Sequence, residues 1–137
     1  MAKSRAGLVQ EMLDKTTNFD DELDIAEDLS LENSEFLNDN LKTHQKIKST
    51  LVGNLMEITK NSAKVLLQTT NEMSVDEFGL IHSGFIFGSA EYAAVAAVNE
   101  ANIVVIGCRS KFLAPAKVGD LIEFEARGRF EDARKRE

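Results

Sequence analysis

The chain has 137 residues, of which 43% are hydrophobic and 28% charged, as expected for one folded domain with a modest core. Its formal net charge of -7, with no Lys or Arg between Lys15 and Lys42, argues against binding to nucleic acid or to anionic lipid. Cys108 is the only cysteine, which excludes an intrachain disulfide and predicts a core residue in a reducing, cytoplasmic setting.

The first 48 residues are predicted to form a helical, acidic arm that precedes the main domain at 49–137. Apolar residues recur at helical spacing in 6–15, and again among many acidic residues in 20–41. The start of the chain lacks the continuous apolar region of a signal peptide, so export by that route is not expected.

The main domain is predicted to begin with a β-hairpin. Two stretches rich in β-branched and aliphatic residues, 51–59 and 63–70, flank the turn at 60–62. After a connecting segment, an apolar helix of about 18 residues is predicted to start near His82.

Two further strands are predicted after the helix, at 103–112 and 121–130, with Pro115 and Gly119 marking the turn between them. The order is therefore arm, two strands, one long helix and two strands. This order predicts an α+β fold in which the helix packs against an antiparallel sheet.

Glu91 is the only charged residue between Gly84 and Asn99, and apolar residues surround it on all sides of the predicted helix. A helix that is apolar all round is expected to be buried, and this one falls short of the roughly 20 residues of a membrane span. Burying a carboxylate costs several kcal/mol unless it is paired or protonated. Glu91 is therefore predicted to be a general base or nucleophile, or else a structural partner at a subunit contact.

Small residues surround the start of this helix, where Gly79, Ser83 and Gly84 let a ligand approach free backbone N–H groups. A polarised carbonyl oxygen is expected to bind there, although two glycines also suit a tight loop-to-helix turn. A donor-rich helix start and a carboxylate two turns further along supply oxyanion stabilisation and water activation, two requirements of acyl transfer.

Two motifs carry a family resemblance. The sequence HSGFIFGSAE at 82–91 resembles the His-Gly-Gly segment and downstream carboxylate of PaaI-like hotdog thioesterases. The sequence KFLAPAKVGD at 111–120 is similar to the Phe-Leu-Arg-Pro-Ala-x-x-Gly-Asp turn of the same family. The resemblance covers about 50–130, and it extends to FapR-type regulators and, more weakly, to a Campylobacter hotdog protein produced together with flagellar components.

The resemblance implies a hotdog fold, in which a curved antiparallel sheet wraps around a long central helix. It also implies a homodimer or higher homo-oligomer with its sites at the subunit interface, and acyl-CoA or a related thioester as substrate or ligand, with no other cofactor. The two histidines, His44 and His82, lie far apart without metal-ligand spacing, so no metal site is expected. By position, Glu91 replaces the catalytic acid of the family, Ser83 and Gly84 hold the thioester carbonyl, and His82 shapes the entrance to the helix.

Several positions depart from the family pattern. Ser83 stands in place of a glycine, Glu91 in place of a frequent Asp, Ala114 in place of an Arg, and Asp76 where an Asn is expected. A negative charge at Asp76 in the substrate site opposes a developing oxyanion, so ligand binding is expected ahead of hydrolysis. The family continues with further strands beyond about residue 130, so the C-terminal strands of this domain are expected to be missing.

Three functions stay open. The protein is a thioesterase in which Glu91 activates water, a non-catalytic acyl-CoA sensor, or a structural dimer whose cleft is covered by apolar residues of the arm, namely Leu23, Leu29, Phe36 and Leu37. Three basic residues are candidates for contacts with CoA phosphates, or else are solvated: Arg109, Lys111 and Lys117.

Overall fold

The computed structural model describes Leu37 and residues 39–129, 131–132 and 134–137. The helix expected at 6–15 and most of the region expected to be helical at 20–41 therefore lie outside the described residues. Within the described part of the chain, no helix is long and apolar enough to cross a membrane.

One long helix and a three-stranded sheet account for most of the regular structure. In chain order the elements are α1 (Ser49–Val52), β1 (Asn54–Thr59), β2 (Ser62–Gln68), a 3-10 turn (Asn71–Met73), α2 (Ser83–Val98), β3 (Leu121–Arg127), β4 (Glu131–Asp132) and β5 (Lys135–Arg136). The last two form a separate short hairpin.

The central strand of the sheet is β2, with β1 and β3 antiparallel on either side of it. The predicted hairpin is confirmed, because Lys60 and Asn61 connect β1 directly to β2. Asn61 has a positive φ of 61°, a conformation that Asn adopts more readily than most residues. β3 pairs with β2 over all seven residues of the central strand, from Ser62 to Gln68.

The sheet packs against α2 through one face. Every second residue of β2 is buried, namely Ala63, Val65 and Leu67, as expected for a strand with one covered face. The facing side of α2 is rich in alanine, which lets the helix approach the sheet closely. Burying one Val or Leu side chain contributes roughly 1.5–3 kcal/mol, so this contact stabilises the fold. The predicted α+β class is confirmed.

Among the described residues, the rest of the chain covers only one side of α2, which corrects the expectation of a helix buried all round. Ser89, Tyr92 and Ala96 face the core, whereas Phe87 and Ala90 are exposed on the opposite side. The reason is that the sheet packs against a single face of the helix in this chain. Glu91 is consequently half-buried, with 25% of its side chain exposed, and not buried as predicted.

The strand predicted at 103–112 does not form, which is a second correction. The segment connects α2 to β3 without forming a strand, and most of its residues are exposed. Its β-branched composition favours a strand, but a strand also needs a neighbour for its backbone N–H and C=O groups. Among the described residues, β3 is paired with β2, and no strand lies beside this segment. Cys108, predicted to be in the core, is exposed here for the same reason.

Candidate functional site

A cleft of about 700 Å³ opens beside the first turn of α2. Its walls come from the loop before the helix, the first turn of the helix, the segment before β3 and the start of β3. Most of the lining side chains are apolar, and the full set is Val75, Leu80, Ile81, His82, Ser83, Ile86, Phe112, Leu113, Ala114, Pro115, Ala116, Asp120 and Ile122.

Backbone hydrogen bonds hold the two loops of the cleft together. The N–H of Ile81 donates to the carbonyl of Ala116 at 2.9 Å, and the N–H of Val118 donates to the carbonyl of Gly79 at 2.8 Å. Beneath them lies a small core cluster that includes Leu67 and Ile81. These contacts fix the loop before α2 against the end of the segment that leads to β3.

The first turn of α2 leaves backbone donors at the cleft. Within the described residues, no group accepts a hydrogen bond from the backbone N–H of Ser83 or Gly84. Both N–H groups belong to the turn whose donors have no acceptor inside the helix. The ring of His82 packs edge-on against Phe85, with a centroid distance of 6.1 Å. The predicted oxyanion donors and the predicted entrance residue thus lie together at the helix start.

The carboxylate of Asp76 accepts hydrogen bonds from backbone N–H groups of its own loop. Its Oδ1 accepts hydrogen bonds from the N–H groups of Phe78 at 3.0 Å and Leu80 at 3.1 Å. The hydroxyl of Ser74 donates to the carbonyl oxygen of Asp76 at 2.7 Å. In this arrangement Asp76 shapes the loop that forms one wall of the cleft, and it is not among the lining residues.

The three basic candidates lie around the cleft without lining it. Lys111 and Lys117 flank the lining segment 112–116 on its two sides, and Arg109 lies two residues before Lys111. All three are exposed. Within the described residues, no three His, Cys, Asp or Glu side chains cluster closely enough to hold a metal ion.

Glu91 lies away from the cleft on the same helix. It follows Ser83 by eight residues, which is about 12 Å along the axis at 1.5 Å per residue. Its Oε1 lies 3.3 Å from Nε2 of His44. A single chain therefore does not bring Glu91 and the helix-start donors to one point.

Sequence reasoning missed two features of this site. His44 was not among the predicted site residues, because nothing in its local sequence places it near Glu91. The apolar lining of the cleft was also missed. Phe112 and Leu113 in the motif at 111–120 are apolar residues that could have indicated it. One of the three open hypotheses had four apolar residues of the arm cover the cleft. Of these four only Leu37 is described, and it packs against the main core around Leu41 and Tyr92.

Part of the chain that contains the cleft and α2 matches a known protein family. Residues 78–129 match the family model of the thioesterase superfamily. The matched range includes all of α2, all of β3 and every residue that lines the cleft except Val75.

Two solved structures resemble most of the chain. The sigma28-regulated virulence protein Cj0977 of Campylobacter jejuni is 40% identical with a TM-score of 0.71, and the match covers 74% of this chain and 71% of that one. The uncharacterized protein PH1136 of Pyrococcus horikoshii is 41% identical with a TM-score of 0.68, and the match covers 69% and 73% of the two chains.

A curated relative shares a smaller portion of its length. Methylthioribose-1-phosphate isomerase of Aquifex aeolicus is 45% identical over 87 residues, which is 64% of this chain but 19% of that protein. The chain thus corresponds to a minor part of that enzyme.

Proposed function

Because this chain belongs to the thioesterase superfamily and has its hotdog fold, we propose that it binds an acyl thioester such as acyl-CoA in the cleft beside α2. The single observation that carries the proposal is an apolar cleft that ends at unsatisfied backbone donors, the N–H groups of Ser83 and Gly84. Apolar walls suit an acyl chain, and the two donors suit the thioester oxygen. The volume of about 700 Å³ is of the size usual for small-molecule sites.

The reaction that we propose is hydrolysis, with Glu91 as general base or nucleophile. In the general-base route, Glu91 takes a proton from water while the water oxygen bonds to the thioester carbon. The resulting oxyanion is stabilised by the N–H groups of Ser83 and Gly84. The C–S bond then breaks, the thiolate takes up the proton, and the products are a free acid and CoA.

We propose that two copies build each site. The donors at Ser83 and the carboxylate of Glu91 lie about 12 Å apart along one helix axis, so one thioester carbon cannot reach both within a single chain. A homodimer solves this problem if Glu91 of one copy faces Ser83 of the other. Exposed apolar residues in the segment that failed to form a strand support an interface, and they include Val104 at 74% and Ile106 at 79% exposure.

The charged part of a CoA ligand is proposed to contact the basic residues around the cleft. Lys111 and Lys117 flank its lining segment 112–116, and Arg109 lies two residues before Lys111. Their ammonium and guanidinium groups suit phosphate oxygens. Since acyl-CoA is an intracellular ligand and the exposed Cys108 is unpaired, we expect the protein to act in the cytoplasm.

The test is thioester hydrolysis measured beside direct binding, with a panel of acyl-CoAs and with the parent and Glu91→Gln proteins. We expect the parent to turn over at least one member of the panel. The variant should lose at least about a hundredfold in kcat while its affinity stays within a few fold, because the amide keeps the size of the side chain but cannot take a proton. Absence of both binding and turnover across the panel would contradict the proposal.

A non-catalytic acyl-CoA sensor is the second candidate function. It is favoured by one observation, the placement of Glu91 outside the cleft and in contact with His44. Such a protein binds acyl-CoA with equal affinity in the parent and the Glu91→Gln variant, and neither hydrolyses it. Turnover by the parent would exclude this candidate.

A further inference from the structure

The segment 40–45 is anchored to α2 at two points. Leu41 is buried in the main core, where its side chain packs with residues of the helix. At the end of α2, the side chain of Asn99 accepts a hydrogen bond from the N–H of Lys42 at 2.7 Å and donates one to the carbonyl of Asn40 at 2.9 Å. These contacts fix the path of the chain as it approaches the middle of the helix.

The anchored segment places the ring of His44 against Glu91. The backbone of His44 has a positive φ of 54°, which is uncommon outside glycine. On one side of the ring, Nε2 lies 3.3 Å from Oε1 of Glu91. On the other, Nδ1 lies 2.7 Å from the hydroxyl of Thr43, a residue that is only 9% exposed.

From this geometry we infer that His44 is a positioning residue for Glu91, an inference that rests on the proposed role of Glu91 in hydrolysis. The imidazole N–H at Nε2 points the carboxylate toward the thioester, and the hydroxyl of Thr43 holds the ring in the matching orientation. Both partners are only partly exposed, with 30% of His44 and 25% of Glu91 accessible, so their attraction is screened less than on an open surface.

The ring of His44 contacts Glu91 and does not line the cleft, so its effect is expected to pass through Glu91. A misplaced carboxylate slows proton transfer without weakening binding, since the ligand is held by other groups. The effect of losing His44 is therefore expected in kcat, with KM unchanged. A displacement of about 1 Å of a catalytic group costs up to a hundredfold in rate.

The test compares two variants of similar size and shape, His44→Met and His44→Gln. Both place an unbranched side chain at the same positive φ, so any strain or folding defect is shared. Only Gln keeps an N–H donor that reaches Glu91. We expect His44→Met to lower kcat about ten- to a hundredfold with KM within twofold of the parent, and His44→Gln to recover most of that loss. Equal kcat in His44→Met and the parent would overturn the inference while leaving the proposed function intact.

A double variant shows whether His44 acts through Glu91. If it does, His44→Met combined with Glu91→Gln is no slower than Glu91→Gln alone, because the group that His44 positions is already lost. Multiplied losses in the double variant would assign His44 a separate role and contradict the inference.

A readout without turnover keeps the inference testable if the parent hydrolyses nothing. In that case the proposed hydrolysis fails, and nitrogen NMR of the His44 ring in alkaline buffer decides whether the pair exists. We expect hydrogen on Nε2, a bare Nδ1 that accepts from Thr43, and an Nε2–H proton that exchanges with water more slowly in the parent than in Glu91→Ala. Hydrogen on Nδ1 in the parent would overturn the pairing. His82, the other histidine, serves as the internal reference.

Discussion

The imidazole of His82 lies over Gly84 so closely that a methyl group added to the glycine would come within 2.9 Å of Nε2. The glycine thus leaves room for the ring beside the free N–H groups of the first turn of α2. Both residues belong to the motif that resembles the His-Gly-Gly segment, and the contact gives a steric reason for a glycine at this position.

The substitution Gly84→Ala is therefore expected to displace the His82 ring and to weaken acyl-CoA binding several-fold. Stability should not fall, because a ring at the end of a side chain can swing away and alanine favours a helix by up to about 1 kcal/mol over glycine. The matched control is Gly88→Ala on the same helix, where a methyl group meets nothing within 4 Å. Isothermal titration and thermal unfolding of both variants make the comparison, and parent-like affinity in Gly84→Ala would count against the role of His82.

The homodimer is expected to depend on the exposed segment that follows α2. The substitution Ile106→Asp places a charge where a second copy is proposed to cover an apolar side chain, so the dimer should dissociate and turnover should be lost. Phe78→Asp is the control for oligomeric state, since Phe78 is also an exposed apolar residue but lies in a different loop. Light scattering after size-exclusion chromatography gives the mass, and a dimer that persists in Ile106→Asp would refute this interface.

Gly53, between α1 and β1, is required by its surroundings. Its φ is +90°, and a methyl group there would lie 2.8 Å from the carbonyl oxygen of Leu66. We expect Gly53→Ala to destabilise the fold by about 2 kcal/mol or more. Gly119→Ala separates the two causes, because Gly119 has a similar φ of +93° but open space around it. Chemical denaturation should show a smaller loss for Gly119→Ala, and equal losses would mean that the carbonyl contact is irrelevant.

Stability at alkaline pH is expected to depend on Tyr92. Burial raises the pKa of its hydroxyl above the ordinary value of 10.0, so the unfolded chain loses this proton before the folded one does. The contribution is fully present below about pH 10 and is lost as the pH rises from there through the folded pKa. Tyr92→Phe should remove this part of the decline.

The ionisation of Tyr92 can be followed directly by absorbance. Tyr92 is the only tyrosine and there is no tryptophan, so the absorbance of tyrosinate follows this residue alone. In the folded protein it should appear at higher pH than in the denatured protein. Identical pH profiles of unfolding for the parent and Tyr92→Phe would show that burial does not affect this group.

The elements that were predicted from the sequence are those whose pattern is local. The hairpin around Asn61 and the helix that starts after His82 follow from composition and turn residues within a few positions. The resemblance between 82–91 and the thioesterase motif likewise located the helix-start donors of the cleft, because short motifs keep their geometry when the fold is kept.

The features that were not predicted depend on contacts across the chain. A strand at 103–112 needs a neighbouring strand, and sequence composition does not supply one. The exposure of Glu91 depends on how many faces of α2 the sheet covers. His44 reaches Glu91 only because Leu41 and Asn99 fix the segment before it, and those residues are separated by almost sixty positions in the sequence.

The two hydrogen bonds between the side chain of Asn99 and the backbone of 40–42 limit where a fragment or fusion of this domain can begin. A fragment cut at the predicted boundary, residue 49, would keep α2 and Glu91 but would leave behind Leu41, Thr43 and His44. Such a fragment would lose the buried Leu41 from its core and also the imidazole of His44 beside Glu91. A fragment that keeps these contacts must therefore begin no later than Asn40, so that it includes both the segment 40–45 and α2.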